Sequence, residues 1–266
     1  MKRSVWLFIL LLCIVNLLPV WLLFKQAITP DIESLSWPLS IVPHRITLEN
    51  FRLFFQSKGI LSGFYLSIWV GFSTTILSLL IGIPAGFAIA RAPKLGHKGI
   101  PVVLFTRTFP SISLAIPLAI IFIRLGLYNH PQGIGLVFAH SIFVLPFTTL
   151  IAYSTFKTIP RELEEQALVD GCSYLTAFLR ITLPLAKPGI ASAFILSFIL
   201  SWDEFTYSLL LQITNRNLPP LVYYYSVYGN VGIASAISSI MLIPAIGMVF
   251  VIQRFVKAGY LSGAVK

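Results

Sequence analysis

Six stretches of the chain are nearly unbroken apolar runs, at approximately residues 4–24, 63–89, 100–123, 133–156, 188–211 and 231–254, with most of the polar side chains gathered between them. Each run is close to the roughly 20 residues that a helix needs to cross a hydrocarbon core. The pattern therefore predicts six transmembrane helices. The first run follows Lys2-Arg3 and superficially resembles a secretory signal, but it is long and no small-residue cleavage pattern follows, so it is expected to remain as an uncleaved span.

Glycine and proline interrupt several runs: Gly82-Ile83-Pro84-Ala85-Gly86 in the second, Pro110 and Pro117 in the third, Pro146 in the fourth and Pro244 in the sixth. Inside a membrane, a backbone group freed by proline has to be satisfied by a neighbouring helix or a water-filled cavity. The interrupted helices are expected to pack around a path, with ordinary kinks in a static bundle as the alternative for any one proline. Between the first two runs, the segment 25–62 contains Pro30, Pro38 and Pro43. Leu48, Phe51, Phe54 and Phe55 then share one helical face, predicting a short helix at the membrane interface.

The polar segment 157–187 is unlike the others. Glu162, Glu164, Glu165 and Asp170 lie there close together, although the whole chain has only 9 acidic residues. Pro160 suits the first turn of a helix, and the acids follow where the helix dipole favours them. Leu163 and Ala167 share a face, Gly171 interrupts, and Tyr174, Leu175, Phe178, Leu179 and Thr182 mark one face of a second short helix ending before Pro184. The expectation is a helix–glycine–helix element projecting from the membrane, its apolar side fit for a groove on a soluble partner. A solvated loop with an interfacial helix satisfies the same periodicity.

Composition excludes a water-soluble fold. The chain is 57% hydrophobic and 11% charged, with a mean hydropathy of +0.88, against about 25% charged in soluble domains. The net charge of +10 does not point to nucleic acid, because the 19 Lys and Arg form no basic stripe. They report topology instead. With a cytoplasmic N-terminus, Lys2, Arg3, Arg91, Lys94, Lys98, Lys157, Arg161, Arg180, Lys187, Arg254, Lys257 and Lys266 lie inside. Lys25, Arg45, Arg52, Lys58, Arg124 and Arg216 lie outside, a positive-inside bias that places both termini in the cytoplasm. Cys13 and Cys172 are too few for a disulfide framework and are expected to be free.

Catalytic motifs are absent. There is no Gly-Lys pair for a nucleotide-binding loop, no His-Glu-x-x-His and no Gly-x-Ser-x-Gly, so no enzyme, metal site or cofactor is expected in this chain. Ionisable groups inside spans draw attention because they are costly there. Asp203 and Glu204 lie in the fifth run, about 22 Å beyond Pro188 if the helix is continuous. Adjacent helix positions point about 100° apart, so one is expected to face a path and the other a neighbouring helix. Trp202 offers a ring face for stacking a sugar, or is a packing aromatic. Arg107, in the inner half of the third run, lines an inward-facing cavity or snorkels.

Glu165-Gln166-Ala167, three residues, Gly171, nine residues and then Ile181-Thr182-Leu183-Pro184 closely resembles the signature loop of ABC importer permeases, Glu-Ala-Ala-x3-Gly-x9-Ile-x-Leu-Pro. The spacing matches throughout, and Gln166 replaces the usual alanine. The resemblance implies an all-α membrane protein of the type I importer class, forming a single permease domain over 1–266, with a coupling helix in the loop 157–187. It implies that Glu164, Glu165, Gln166, Ala167, Asp170, Gly171, Ile181, Leu183 and Pro184 form the coupling element, with Glu165, Ala167 and Gly171 contacting a cytoplasmic ATPase. The implied partners are an ABC ATPase dimer that binds the ATP and Mg, a second homologous permease, an extracytoplasmic solute-binding protein and membrane lipid. The implied place is a bacterial or archaeal cytoplasmic (inner) membrane.

Two stretches are similar to the maltose-permease-type sugar branch of that family: Trp202-Asp203-Glu204-Phe205, with Asp203 in place of asparagine, and the C-terminal Gln253-Arg254-Phe255 followed by Gly263-Ala264-Val265-Lys266. The cargo implied is a sugar or oligosaccharide, with Trp202, Asp203, Glu204 and Arg107 as candidates for the translocation path. A permease for polyamine, thiamine or ferric iron stays open, because two adjacent acids suit a cation. More distant readings are a channel or secondary transporter and an intramembrane enzyme using Asp203 and Glu204; both leave the spacing of 165–184 unexplained.

Overall fold

The computed structural model describes residues 2–34 and 40–263; Pro38 of the segment 25–62 and Ala264, Val265 and Lys266 of the C-terminal tail lie outside the described residues. In chain order the helices are α1 (Lys2–Ala27), α2 (Asp31–Ser34), α3 (Glu49–Gln56), α4 (Lys58–Arg91), α5 (Pro93–Thr106), α6 (Ser111–Arg124) and α7 (Ile134–Thr158). They continue as α8 (Glu162–Val169), α9 (Tyr174–Ala177), a π-helical turn at Phe178–Thr182, α10 (Leu183–Leu185), α11 (Lys187–Trp202), α12 (Thr206–Leu211), α13 (Leu218–Val227) and α14 (Val231–Gly263). The described residues contain no strand.

The expectation of an all-helical membrane protein holds, but the runs are built in two ways. Four helices are individually long and apolar enough to cross a membrane, within α1, α4, α7 and α14. Two bent helix pairs are long and apolar enough only when each pair is taken together: Lys98–Thr106 with Ser111–Arg124, at 84°, and Tyr174–Leu185 with Lys187–Trp202, at 74°. The third run is therefore not one helix. Pro110 has no N–H to donate and disfavours helical geometry at the residue before it, so the chain leaves the helix at Arg107 and restarts at Ser111.

Three further expectations are corrected. The fifth run does not continue to 211 as one helix: α11 ends at Trp202, and α12 starts only at Thr206. The second run is not broken, since α4 runs through Pro84 without interruption. The helix after Gly171 does not stop before Pro184. The wider π turn hands its last bond from Leu183 N–H to the Phe178 carbonyl, and the chain stays helical to Leu185.

Contacts divide the chain into two compact units, Met1–Tyr65 with Asn215–Ala245, and Leu66–Thr214 with Ile246–Lys266. In the first, the apolar side chains of α1 from Val5 to Phe24 are largely exposed, as suits a helix whose solvent is lipid. Its far end is tied down: Asn50 Nδ2 donates to the Ala27 and Thr29 carbonyls at 3.1 and 3.3 Å. Helix α3 forms as expected, on a different face. Asn50 and Phe54 are buried and Phe54 packs on Phe64, whereas Leu48 and Phe55 are 67% and 63% exposed.

In the second unit, α4 and α7 pack closely enough to exclude side chains. A Cβ on Gly86 would lie 2.6 Å from both Ala152 Cβ and Tyr153 N, and one on Gly82 would lie 2.9 Å from Thr148. Glycines four apart thus form a small-residue contact strip, which membrane helices need because lipid tails give no hydrophobic drive to association. Two apolar cores flank this strip. One joins Leu66, Val70, Ala115, Phe122, Leu136, Ala139, Tyr207 and Leu211; the other joins Ala90, Ala152, Phe156, Ile159 and Ala186, with Phe87 and Phe178 against it.

Candidate coupling element and intramembrane polar groups

The acidic segment folds as the expected helix–glycine–helix. At the end of α8, Cys172 N–H donates to the Ala167 carbonyl (2.9 Å) and Gly171 N–H to the Leu168 carbonyl (3.1 Å). This pair of bonds is a Schellman closure, which requires a left-handed residue at the turn. Gly171 supplies it with φ +89°, and nothing lies within 4 Å of where its Cβ would be. Ser173 then caps α9 by accepting from Thr176 N–H at 3.2 Å.

Glu164 fixes this element to the membrane-spanning helices. Its carboxylate accepts from Arg91 Nε at 2.9 and 3.0 Å and from Thr182 Oγ1 at 2.9 Å. Arg91 also donates to the Phe156 and Ile159 carbonyls, at 2.9 and 3.2 Å. Arg161 Nη2 donates in turn to the Ala90 carbonyl at 3.0 Å. The last carbonyls of a helix have no intrahelical donor, so each arginine closes the end of the other's neighbouring helix. The Arg91–Glu164 pair is mostly buried, with side chains 14% and 16% exposed.

The rest of the predicted coupling set divides by direction. Glu165, Gln166, Asp170 and Gly171 are exposed, whereas Ile181, Leu183 and Pro184 are half-buried. Ala167 is buried within the chain itself, which corrects the expectation that its small side chain meets a partner; it seats α8. The apolar face of the second helix is also corrected. Phe178 turns inward onto Phe87 (4.6 Å) and Phe156 (6.0 Å), and Thr182 is buried. Tyr174, Leu175 and Leu179 point outward with Val169. A groove of about 290 Å³ opens between Phe87, Leu168, Tyr174 and Ala177 beside the Glu164 pair.

The candidate path residues separate. Because α11 ends at Trp202, Asp203 and Glu204 are not adjacent positions on one helix, and the 100° argument does not apply. Glu204 is buried, its carboxylate accepting from Thr206, Tyr207 and Ser208 N–H at 2.9 to 3.2 Å. It serves the orphan donors at the start of α12, as a carboxylate at a helix N-terminus does. Trp202 is buried and stacked on Phe198 at 5.6 Å, leaving no ring face open. Asp203 is exposed. Arg107 sits at the break between α5 and α6 with its guanidinium 3.6 Å from the Phe147 ring centroid.

Three groups escape a reading of the sequence. Arg91 is one. His140 is another: fully buried in α7, it lies 2.9 Å from Ser201 Oγ, 3.2 Å from Ser208 Oγ and 3.4 Å from Glu204 Oε2, so it links α7 to both sides of the α11–α12 break. The third is Thr148 with Ser197, hydrogen-bonded at 2.9 Å between α7 and α11. A lone histidine or threonine in an apolar run gives no signal; only the small-residue character of these positions hinted at helix contacts.

The family model of the binding-protein-dependent transport system inner membrane component matches residues 78–260. The chain is 32% identical over 257 residues to a trehalose transport system permease protein of Mycobacterium tuberculosis, covering 94% of this chain and 92% of that one. It is 30% identical over 265 residues to a trehalose/maltose transport system permease protein of Thermococcus litoralis, covering 97% and 94%. Among solved structures, a bacterial ABC transporter that imports the acidic polysaccharide alginate matches with a TM-score of 0.73 at 22% identity, over 95% of this chain and 94% of that chain.

Proposed function

We propose, from the premise that this chain belongs to the binding-protein-dependent transport system inner membrane component family, that it is the permease subunit of an ATP-driven importer for a sugar or oligosaccharide. The sugar assignment is supported by relatives that belong to trehalose and trehalose/maltose transport systems and by the disposition of the intramembrane acids. Two adjacent acids had suggested a cationic cargo, but Glu204 is occupied by the start of α12.

The observation on which the mechanism rests is the exposed surface of a rigidly held element. Glu164, Arg91 and Thr182 fix α8 to α9–α10, and Gly171 sets the turn between them, so Glu165, Gln166, Asp170 and the apolar Val169, Tyr174, Leu175 and Leu179 face outward together. In this reading that surface docks in a cleft of a cytoplasmic ATPase, which binds the ATP and Mg and exists as a dimer. Movement of the cleft is transmitted through the Arg91–Glu164 pair to the ends of α4 and α7. A second homologous permease completes the pore, and a solute-binding protein delivers cargo from outside. The chain then sits in a bacterial or archaeal inner membrane with both termini in the cytoplasm. Alternating access follows if ATP binds the two states with different affinity.

Gly171→Val tests the element. Nothing would crowd the new side chain, so the effect is backbone strain alone, about 1–2 kcal/mol for a left-handed non-glycine residue and more for a β-branched one. ATP hydrolysis by the purified complex should continue without uptake, whereas Gly171→Asn, which tolerates the left-handed region, should transport. Equal uptake by both variants would exclude the coupling role.

A further inference from the structure

The break between α5 and α6 presents a feature that the fixed helix ends do not need. Arg107 lies flat on Phe147 at 3.6 Å. Phe147 is about 20 Å along α7 from Ile134 and about 17 Å from Thr158, so the guanidinium sits near the middle of the membrane. The side chain is exposed on the chain's own surface. Among the described residues the Arg107 guanidinium has neither an ion pair nor a hydrogen bond.

A cation at that depth cannot face lipid tails without a large cost, and it is too deep for a lipid headgroup to reach. Its surroundings are polar enough for water. A small cavity of about 50 Å³ is lined by Thr106, Arg107, Ser111 and Tyr207 with Phe109 and Pro146, and the Tyr207 phenol reaches the Ser111 side chain. Stacking on Phe147 hides one face of the guanidinium and leaves its N–H edge free. That edge is the fork which binds a carboxylate or sulfonate in two parallel bonds. Of the two acids after α11, Glu204 is already held by three backbone donors and His140, and Asp203 is exposed and makes no ion pair with Arg107.

We propose that this break is a water-filled station of the translocation path at which Arg107 receives an anionic group of the cargo, a saccharide bearing a carboxylate or sulfonate. Thr106 and Ser111 supply hydroxyls for its sugar oxygens. The assignment rests on the importer reading above and narrows its cargo.

The test uses the full chain in membranes of cells that make the whole complex. Cys13 and Cys172, both free, are replaced by serine and Thr106 by cysteine. Labelling rates are then compared for an anionic sulfonatoethyl and a cationic trimethylammonioethyl methanethiosulfonate. The anionic reagent should react about tenfold faster or more, because a cation in a low-dielectric cleft concentrates anions. The preference should persist in Arg107→Lys and vanish in Arg107→Gln, with both variants inserted at the parental level. In parallel, uptake of a labelled uronate disaccharide should fall at least about tenfold in Arg107→Gln, one lost charge-assisted pair. No labelling by either reagent, equal rates for both, or unchanged uronate uptake in Arg107→Gln would each overturn the station. Labelling that responds to ATP but not to reagent charge overturns the station while leaving the importer reading intact. Charge-selective labelling indifferent to ATP supports the anion site and removes the importer reading.

Discussion

Glu164 and Glu204 are both buried glutamates at the edge of a helix, and they are satisfied in opposite ways. Glu164 is held by a guanidinium 73 residues away in sequence and a hydroxyl 18 away. Glu204 is held by backbone N–H groups two to four residues ahead, with His140 beside it. The first joins separate helices and can carry force between them. The second shapes one corner of the chain and fixes where α11 gives way to α12. A largely buried carboxylate therefore joins helices or caps one according to its donors, and its own identity does not decide which.

The difference can be broken most strongly at Arg91. Because the pair is mostly buried, removing one partner leaves an uncompensated charge, about 3–5 kcal/mol. Arg91→Ala and Glu164→Ala should each lower the thermal stability of the purified chain by that order and release the ATPase on purification. The double variant should cost clearly less than the sum of the two; additive costs would show that the residues do not act as a pair. Glu204→Ala comes next, at about 2 kcal/mol for a lost helix cap. It should reduce transport by altering the α11–α12 corner without releasing the ATPase, and loss of the ATPase would erase the distinction between the two glutamates. Thr182→Val is smaller, about 1 kcal/mol for one hydrogen bond, visible as a shift in unfolding temperature with transport retained.

A third glutamate gives the smallest effect and sharpens the contrast. Glu33 is exposed and accepts from His44 N–H at 2.7 Å and Arg45 N–H at 3.1 Å. The His44 N–H, with help from Arg45 N–H, holds its carboxyl below the ordinary value of 4.5. A folded pKa below the unfolded one gives a contribution that is complete above the unfolded value and lost as pH falls through the folded one. Acid titration below pH 4.5 should therefore loosen the hold of Glu33 on His44 and Arg45 in the wild type, followed by exchange of those two amides, with no such pH dependence in Glu33→Gln.

Much of the fold was legible because membrane spans announce themselves one at a time. The ~20-residue apolar run is a local property, and so are the acidic first turn of α8 and the glycine that closes it. The helix–glycine–helix was legible as spacing, since Glu165, Gly171 and Pro184 stand at fixed separations whatever packs around them. Its inward and outward faces were not. Ala167 and Phe178 turned inward and Tyr174 outward because Phe87 and Phe156, from other helices, provided the surface to pack against. The breaks were half legible: Pro110 broke a helix, while Pro84 and Pro146 did not, since their helices continue through them.

By itself the sequence determined the class of protein, its apolar runs and the position of the acidic helix–glycine–helix element, because hydrophobic period, charge placement and motif spacing are written in neighbouring residues. Only the tertiary structure decided which charges are committed and which are free. It paired Arg91 with Glu164, gave Glu204 to the start of α12, buried Trp202 and laid the exposed Arg107 on Phe147. The physical reason is that compensation of a charge depends on donors and acceptors brought together from distant parts of the chain, and no local pattern specifies them.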